Sequence, residues 1–180
     1  DSTGMLACGE DLGMIPATVP QVMSDLRILS LEIQRMPKSV EETFAHPANY
    51  PYLSVCTTST HDMNPIRAWW EEDRQVTEQF WHEMLGGYGD APYYCEPWIC
   101  RQILDQHVWS PAMLTILPLQ DWLSMDEQLR REDPNTERIN VPANSRHYWR
   151  YRMHLTLEQL ASADEFNQTL TDMIAASGRK

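Results

Sequence analysis

The 180-residue sequence has little positive charge and no long apolar run. Only 14 Lys and Arg residues stand against 26 Asp and Glu residues, which gives a formal net charge of -12. A nucleic-acid partner requires clustered basic side chains, so we expect none. No stretch approaches the roughly 18 apolar residues of a membrane-spanning helix, so we expect no membrane partner.

Cysteine is scarce, and none of the four cysteines forms a CxxC pair. Cys8 and Cys56 lie in apolar runs, where a reduced cysteine behaves as a small hydrophobic residue. We therefore expect a reduced, intracellular chain rather than a disulfide framework. The six histidines show no zinc-ligand spacing with the cysteines, so no metal site is predicted.

Four short apolar runs end in polar or turn residues, at 5–8, 28–33, 53–56 and 112–117. Such continuous runs predict buried parallel strands, and the segments between them read as helices or loops. This alternation indicates parallel βα units. Four units fit either a small open sheet or half of a (β/α)8 barrel, because a whole barrel takes about 250 residues.

The longest helical pattern follows Asn64-Pro65, which we interpret as a helix start with Asn as the cap. The pattern predicts one helix that runs to a stop at Gly86-Gly87. Trp69 and Trp70 lie on its apolar stripe and are expected in the core, whereas Arg67 is expected on a solvated charged face.

Three further helices are predicted toward the C-terminus. One opens at Pro97 and runs to about His107, and a short one lies near 122–129. The last helical segment begins at Thr156, with Ser162 to Glu165 as a capping box that restarts it. The stretch 131–145 reads as a polar loop that contains proline.

Acidic residues follow three of the four apolar runs, as Glu10-Asp11, His61-Asp62 and Gln120-Asp121. Binding and catalytic groups of βα folds collect at the carboxyl ends of the strands, so the three clusters would face one mouth. Acids also cap helices and occupy βα loops for structural reasons. Spacing alone leaves both interpretations open.

Six phrases occur in order along the chain: CGEDLGMIP, LEIQRMP, TSTHD, RAWWEED, LQDWL and ERINVPAN…YWRYR. Together they resemble the 4-α-glucanotransferases of glycoside hydrolase family 77, the amylomaltase or disproportionating-enzyme family. RAWWEED and LEIQRMP are most similar to the larger branch, typified by the plant cytosolic enzyme.

The resemblance implies the C-terminal half of a (β/α)8 TIM barrel over residues 1–180, with the last helices at about 156–178. It implies an enzyme of starch, glycogen or maltose metabolism in the cytoplasm. This enzyme transfers α-1,4-glucan segments between maltooligosaccharides or glucans with retention of configuration. The implied partners are these glucans and the upstream half of the same barrel. No metal or organic cofactor is implied, because carboxylates alone run this reaction.

The resemblance also assigns roles to single residues. Glu10 is the acid/base, with burial or a neighbouring carboxylate expected to raise its pKa. Asp62 is the transition-state stabiliser and stays ionised. His61 is expected to hydrogen-bond the sugar, while Asn140 and Trp149 either line the sugar groove or simply pack.

Asp11, beside Glu10, is expected to be a supporting or turn residue. The family's nucleophilic Asp lies some tens of residues before GEDLG, so we expect it upstream of this sequence and the isolated chain to be inactive. Two alternatives remain at this point: a retaining α-glucan hydrolase, or a glucan-binding or interaction domain without catalysis.

Overall fold

A fully buried strand, β2 (Ser54–Thr57), lies at the centre of the parallel sheet. The computed structural model describes residues 4–179. β2 pairs with β1 (Ser30–Ile33) on one side and with β3 (Leu114–Thr115) on the other, in the order β1-β2-β3. Cys8 adds a parallel bridge to Leu29, at the far side of β1. The four apolar runs thus form four parallel segments that are adjacent in chain order, as predicted.

The two outer segments are less regular than predicted. The run 5–8 forms a single bridge and is solvent-exposed, and β3 has two residues and is only partly buried. Leu6 is 57 % exposed and Ile116 is 60 % exposed. The prediction of buried strands is therefore wrong at these edges. The reason is that each outer segment pairs with only one other strand among residues 4–179, whereas β2 is enclosed by two.

The helices fill the intervals between the strands and the C-terminal part of the chain. They are α1 (Val19–Asp25), α2 (Ile66–Trp70), α3 (Arg74–Met84), α4 (Pro97–Val108), α5 (Leu119–Ser124), α6 (Leu157–Ala161) and α7 (Asp164–Ala176), with short 3-10 helices at Pro47–Asn49 and Pro134–Glu137. Within the part of the chain that the structure describes, no helix is long and apolar enough to cross a membrane.

The predicted single helix from 66 to 85 is two helices. Asp73 interrupts it, because its side chain accepts hydrogen bonds from the backbone N–H groups of Gln75 (2.9 Å) and Val76 (3.2 Å) and so caps α3. Asp prefers this position to a helix interior. Arg67 is buried rather than solvated, and its guanidinium donates to the Arg131 carbonyl at 2.6 Å.

Two other helix boundaries differ from the sequence pattern. α5 begins directly after Pro118 and ends at Ser124, earlier than predicted. The capping box lies at Thr156, which begins α6, and α7 starts without a side-chain cap. The local motif at Ser162 is thus not used, whereas the one at Thr156 is.

The main apolar core packs between α2, α3, α4 and α7. Trp70, Phe80 and Ile99 are essentially inaccessible within it, and Trp69 packs against it in a partly buried position. The predicted core placement of both tryptophans is confirmed. The core includes Ile66, the first residue of α2, and so supports the end of the segment that joins β2 to α2.

Candidate active site

The candidate site is centred on the segment that follows β2, residues 58–66, which we call the 58–66 loop. This loop carries His61 and Asp62 at the carboxyl end of a strand, where βα folds place functional groups. The side chains of His61 and Asp62 remain 48 % and 43 % exposed. Both are therefore accessible to a ligand.

Asp62 is held by two polar side chains. Asn140 donates its amide Nδ2 to Asp62 Oδ1 at 2.6 Å, and His61 Nε2 lies 3.3 Å from Asp62 Oδ2. These two contacts hold the Asp62 carboxylate in place, while its side chain stays 43 % exposed.

An aromatic ring completes this cluster. The Trp149 ring lies against the His61 ring, with centroids 4.8 Å apart and planes tilted by 41°. Trp149 is 60 % exposed, so one part of it is free to contact a ligand. The structure thus brings together four of the five predicted site residues: His61, Asp62, Asn140 and Trp149.

Arg138 joins the two loop segments that form the cluster. It donates to the carbonyl of Asn140 at 2.8 Å, to Asn64 Oδ1 at 2.9 Å and to the carbonyl of Asp62 at 3.3 Å. The backbone N–H of Asn140 also donates to the His61 carbonyl at 3.1 Å. Sequence reasoning did not single out Arg138, although it lies in the ERINVPAN phrase two residues before Asn140.

Glu10 lies apart from this cluster. It follows the Cys8 bridge at the same end of the sheet as Asp62, since parallel strands end at one edge. Glu10 is exposed, and it makes no hydrogen bond or ion pair with any residue in the range 4–179. Residues 4–179 therefore do not bury Glu10, and burial was one of the two environments expected for it.

Asp11 lies in a supporting position, as expected from the sequence. It is 5 % exposed, and its carboxylate accepts from the backbone N–H of Leu31 at 2.8 Å and from Lys38 Nζ at 2.6 Å. Lys38 also bonds Glu32 at 2.7 Å. These contacts tie the segment that carries Glu10 to β1.

The third acidic cluster is structural. Asp121 is fully buried and accepts hydrogen bonds from Thr58, Ser59 and the backbone N–H of Ile66. It therefore replaces Asn64 as the group that caps α2. Burial raises the pKa of Asp121 from its ordinary value, while these hydrogen bonds and Arg35 act in the opposite direction.

Glu137 is a buried acid behind the site. It is 1 % exposed, and its Oε2 has no hydrogen-bond partner among residues 4–179. Burial raises the pKa of Glu137 to about 7, although Arg67 opposes this. With His61, Ser59 and Gln120, Glu137 lines a cavity of about 60 Å³.

A wider cleft of about 810 Å³ lies elsewhere, between residues 125–129 and helices α6 and α7. None of the predicted site residues lines it, so we place the site at the strand ends. In the part of the chain that is described, no group of three His, Cys, Asp or Glu residues is arranged to hold a metal ion.

A sequence profile described as 4-alpha-glucanotransferase, glycoside hydrolase family 77, matches residues 1–157. The chain belongs to this family. The match includes every predicted site residue, from Glu10 to Trp149.

Two curated relatives show how much of the family's length this chain represents. The rice protein named 4-alpha-glucanotransferase DPE2 is 41 % identical over 99 % of this chain, which covers 19 % of the rice protein. The 4-alpha-glucanotransferase of Chlamydia muridarum is 31 % identical over 96 % of this chain, which covers 33 % of the chlamydial protein. The chain therefore spans between a fifth and a third of the length of these relatives.

A solved structure shows the same fold. The amylomaltase from Streptococcus agalactiae, in complex with acarbose, superposes with a TM-score of 0.69 at 18 % identity. The superposition covers 96 % of this chain and 32 % of the amylomaltase. The parallel sheet and its helices are thus part of the amylomaltase fold.

Proposed function

We propose that the protein containing this chain is a 4-α-glucanotransferase that transfers α-1,4-glucan segments between maltooligosaccharides or glucans with retention. The observation that carries this proposal is the cluster of Asp62, His61, Asn140 and Trp149 at the strand ends, in a chain that belongs to the family. The cluster combines a fixed carboxylate, hydrogen-bonding groups and an exposed aromatic ring.

In this proposal Asp62 stabilises the positive charge that develops on the sugar ring. A fixed carboxylate favours an oxocarbenium-like transition state electrostatically, and the amide of Asn140 holds its oxygen in place. His61 hydrogen-bonds the sugar hydroxyls, and Trp149 supports the His61 ring and offers an apolar face to the sugar.

Glu10 is the proton donor and acceptor in this proposal. A retaining enzyme needs one carboxyl group to protonate the leaving oxygen and then to activate the acceptor hydroxyl. Glu10 and Asp62 follow segments separated by one intervening strand, so the strand axes that carry them lie roughly 10 Å apart. This spacing leaves room for a sugar ring between the two carboxyl groups.

The remaining parts of the proposal concern the rest of the protein. We infer that residues 1–180 are the C-terminal half of the catalytic (β/α)8 domain, that the nucleophilic Asp lies upstream, and that the enzyme is cytoplasmic. The exposed outer strands, at Leu6 and Ile116, support an upstream half that covers them. The chain alone is then inactive.

A time course with maltotriose, alone and with a branched glucan as acceptor, tests this function in the full-length protein. Transfer produces glucose and chains longer than maltotriose, whereas a hydrolase produces only shorter chains. Formation of longer chains by the purified 180-residue chain would contradict the proposed upstream nucleophile. Absence of longer chains with the full-length protein would contradict the transferase assignment.

A further inference from the structure

The 58–66 loop is held near both ends by two charged side chains, the partly buried Arg35 and the fully buried Asp121. Arg35 follows β1 and Asp121 follows β3, so they approach the loop from opposite sides of β2. Neither residue touches the exposed cluster of Asp62 and His61 directly. Their hydrogen bonds go to Thr58 and Ser59 at the start of the loop and to Asn64 and Ile66 near its end.

Asp121 uses both carboxylate oxygens on the loop. Oδ2 accepts from the hydroxyl groups of Thr58 at 2.5 Å and Ser59 at 3.2 Å. Oδ1 accepts from the backbone N–H of Ile66 at 2.8 Å. One carboxylate therefore joins the first two residues of the loop to its last residue.

Arg35 also joins the start of the loop to a residue near its end, by donating hydrogen bonds to backbone carbonyls. Its Nε and Nη2 donate to the Thr58 carbonyl at 3.2 Å and 2.8 Å, and Nη2 also donates to the Asn64 carbonyl at 2.9 Å. The guanidinium carbon lies 4.8 Å from the centroid of the Trp69 ring, which adds a cation–π contact. Burial lowers the pKa of Arg35 to about 10, so the group stays charged at neutral pH.

We propose that Arg35 and Asp121 are positioning residues that set the conformation of the 58–66 loop and thereby the location of Asp62 and His61. A planar guanidinium makes these paired contacts through one rigid fork, which a lysine cannot reproduce. Because side-chain contacts rather than regular structure join the two ends of the loop, loss of the Arg35 or the Asp121 contacts shifts Asp62 relative to a bound sugar. This inference rests on the proposed function of Asp62.

The test uses Arg35→Lys and Asp121→Asn in the full-length protein. Both substitutions preserve approximate size, and the first also preserves charge. Misplacement of a reacting group by about 1 Å costs up to about a hundredfold in rate. We therefore expect kcat per folded molecule to fall about ten- to a hundredfold in each variant, with KM changed less than threefold.

Two matched controls carry the same chemical changes elsewhere. Arg74→Lys alters an exposed arginine of α3 that donates to the Pro92 carbonyl. Asp126→Asn alters an acid that caps the turn of Gln128 and Leu129. Both controls are expected to keep kcat within twofold of the unchanged protein.

The folded fraction, measured by circular dichroism at the assay temperature, separates positioning from a merely structural role. A structural role lowers the folded fraction and the Tm but leaves kcat per folded molecule unchanged, and this result would overturn the inference. The Asp62→Asn variant identifies which claim has failed. If Asp62→Asn keeps full activity, the proposed function of Asp62 is wrong; if only Asp62→Asn loses activity, the positioning role alone is wrong.

Discussion

The two segments that carry Asp62 and Glu10 differ in how many contacts hold them within this chain. Asp62 lies on a loop between a buried strand and a helix, and Asn140, Arg138, Arg35 and Asp121 surround that loop. Glu10 follows an exposed segment with a single bridge, and Asp11 is its main attachment to β1. The part of the candidate site around Asp62 is thus formed within this chain, whereas Glu10 is exposed.

This difference has a physical origin in the sheet. β2 has a neighbour on each side, so the loop after it receives side chains from both. The segment before Glu10 has β1 alone as a neighbour within residues 4–179. The segment that carries Glu10 is therefore supported from one side only within these residues.

The largest expected effect is that of Glu10→Gln in the full-length protein. Loss of general acid–base catalysis costs about 10²- to 10⁴-fold. We expect kcat on maltotriose to fall by this amount while glucan binding, measured by calorimetry, changes little. Glu41→Gln, at an exposed position, serves as the control, and near-normal turnover of Glu10→Gln would reject the acid/base assignment.

The next effect is that of Asn140→Ala. This change removes the 2.6 Å hydrogen bond to Asp62, and a hydrogen bond to a charged group contributes about 1.5–3 kcal/mol. We expect kcat to fall roughly ten- to a hundredfold, since about 1.4 kcal/mol is tenfold. Asn135→Ala alters an exposed asparagine that bonds Asp133 and should leave kcat unchanged. Equal kcat values for the two variants would show that Asn140 only packs.

A smaller effect on rate is expected for Asp11→Ala. The change leaves the Leu31 N–H without its acceptor, which costs about 1–3 kcal/mol, and it removes one of the two carboxylates that Lys38 contacts. The Tm should fall by several degrees, and kcat should fall about three- to tenfold because the Glu10 segment loses its anchor. Asp25→Ala, which removes an exposed contact with Gln21, is the comparison. An unchanged Tm for Asp11→Ala would contradict the anchoring role.

The smallest expected effect is a pH dependence of stability due to Glu137. Its pKa is about 7 in the folded chain and ordinarily 4.5, so the folded state binds more protons between these values. Stability should therefore fall as pH rises from about 4.5 to about 7, and this fall should be absent in Glu137→Gln.

Thermal unfolding at pH 5 and pH 7.5 measures this difference. The Tm of Glu137→Gln relative to the unchanged protein should rise by a few degrees between the two pH values, since about 1 kcal/mol shifts a Tm by roughly 2–8 °C. Glu132→Gln, at an exposed position of the same segment, should show no such rise. Parallel curves for all three proteins would rule out a buried, titrating Glu137.

The sequence predicted the parts of the fold that depend on local patterns. The apolar runs located all four parallel segments, and Pro97 marked the start of α4. The pattern failed at Asp73, where an exposed acid within a charged run caps α3 and so interrupts the predicted single helix. It also failed at Leu6 and Ile116, because burial depends on neighbours in the sheet that periodicity does not reveal.

The residues of the site were likewise predicted only in part. The family phrases led to His61, Asp62, Asn140 and Trp149, which the structure brings together. The supports of the 58–66 loop could not be read from spacing, because Asp121 is 63 residues from Thr58 and Arg138 is 76 residues from Asp62. A buried Asp and an exposed Asp that follow a strand have the same local sequence signal. The pattern therefore could not distinguish the buried Asp121 from the accessible Asp62.

We propose that Glu10 moves the proton and that Asp62 stabilises the charged sugar. Fluoride release from α-maltosyl fluoride by the full-length protein tests it most directly, because fluoride leaves without protonation and so bypasses the acid. The account predicts that Glu10→Gln releases a first equivalent of fluoride at nearly the unchanged rate, whereas Asp62→Asn releases it at least about a hundredfold more slowly. Equal slowing of this first release in both variants would contradict the account.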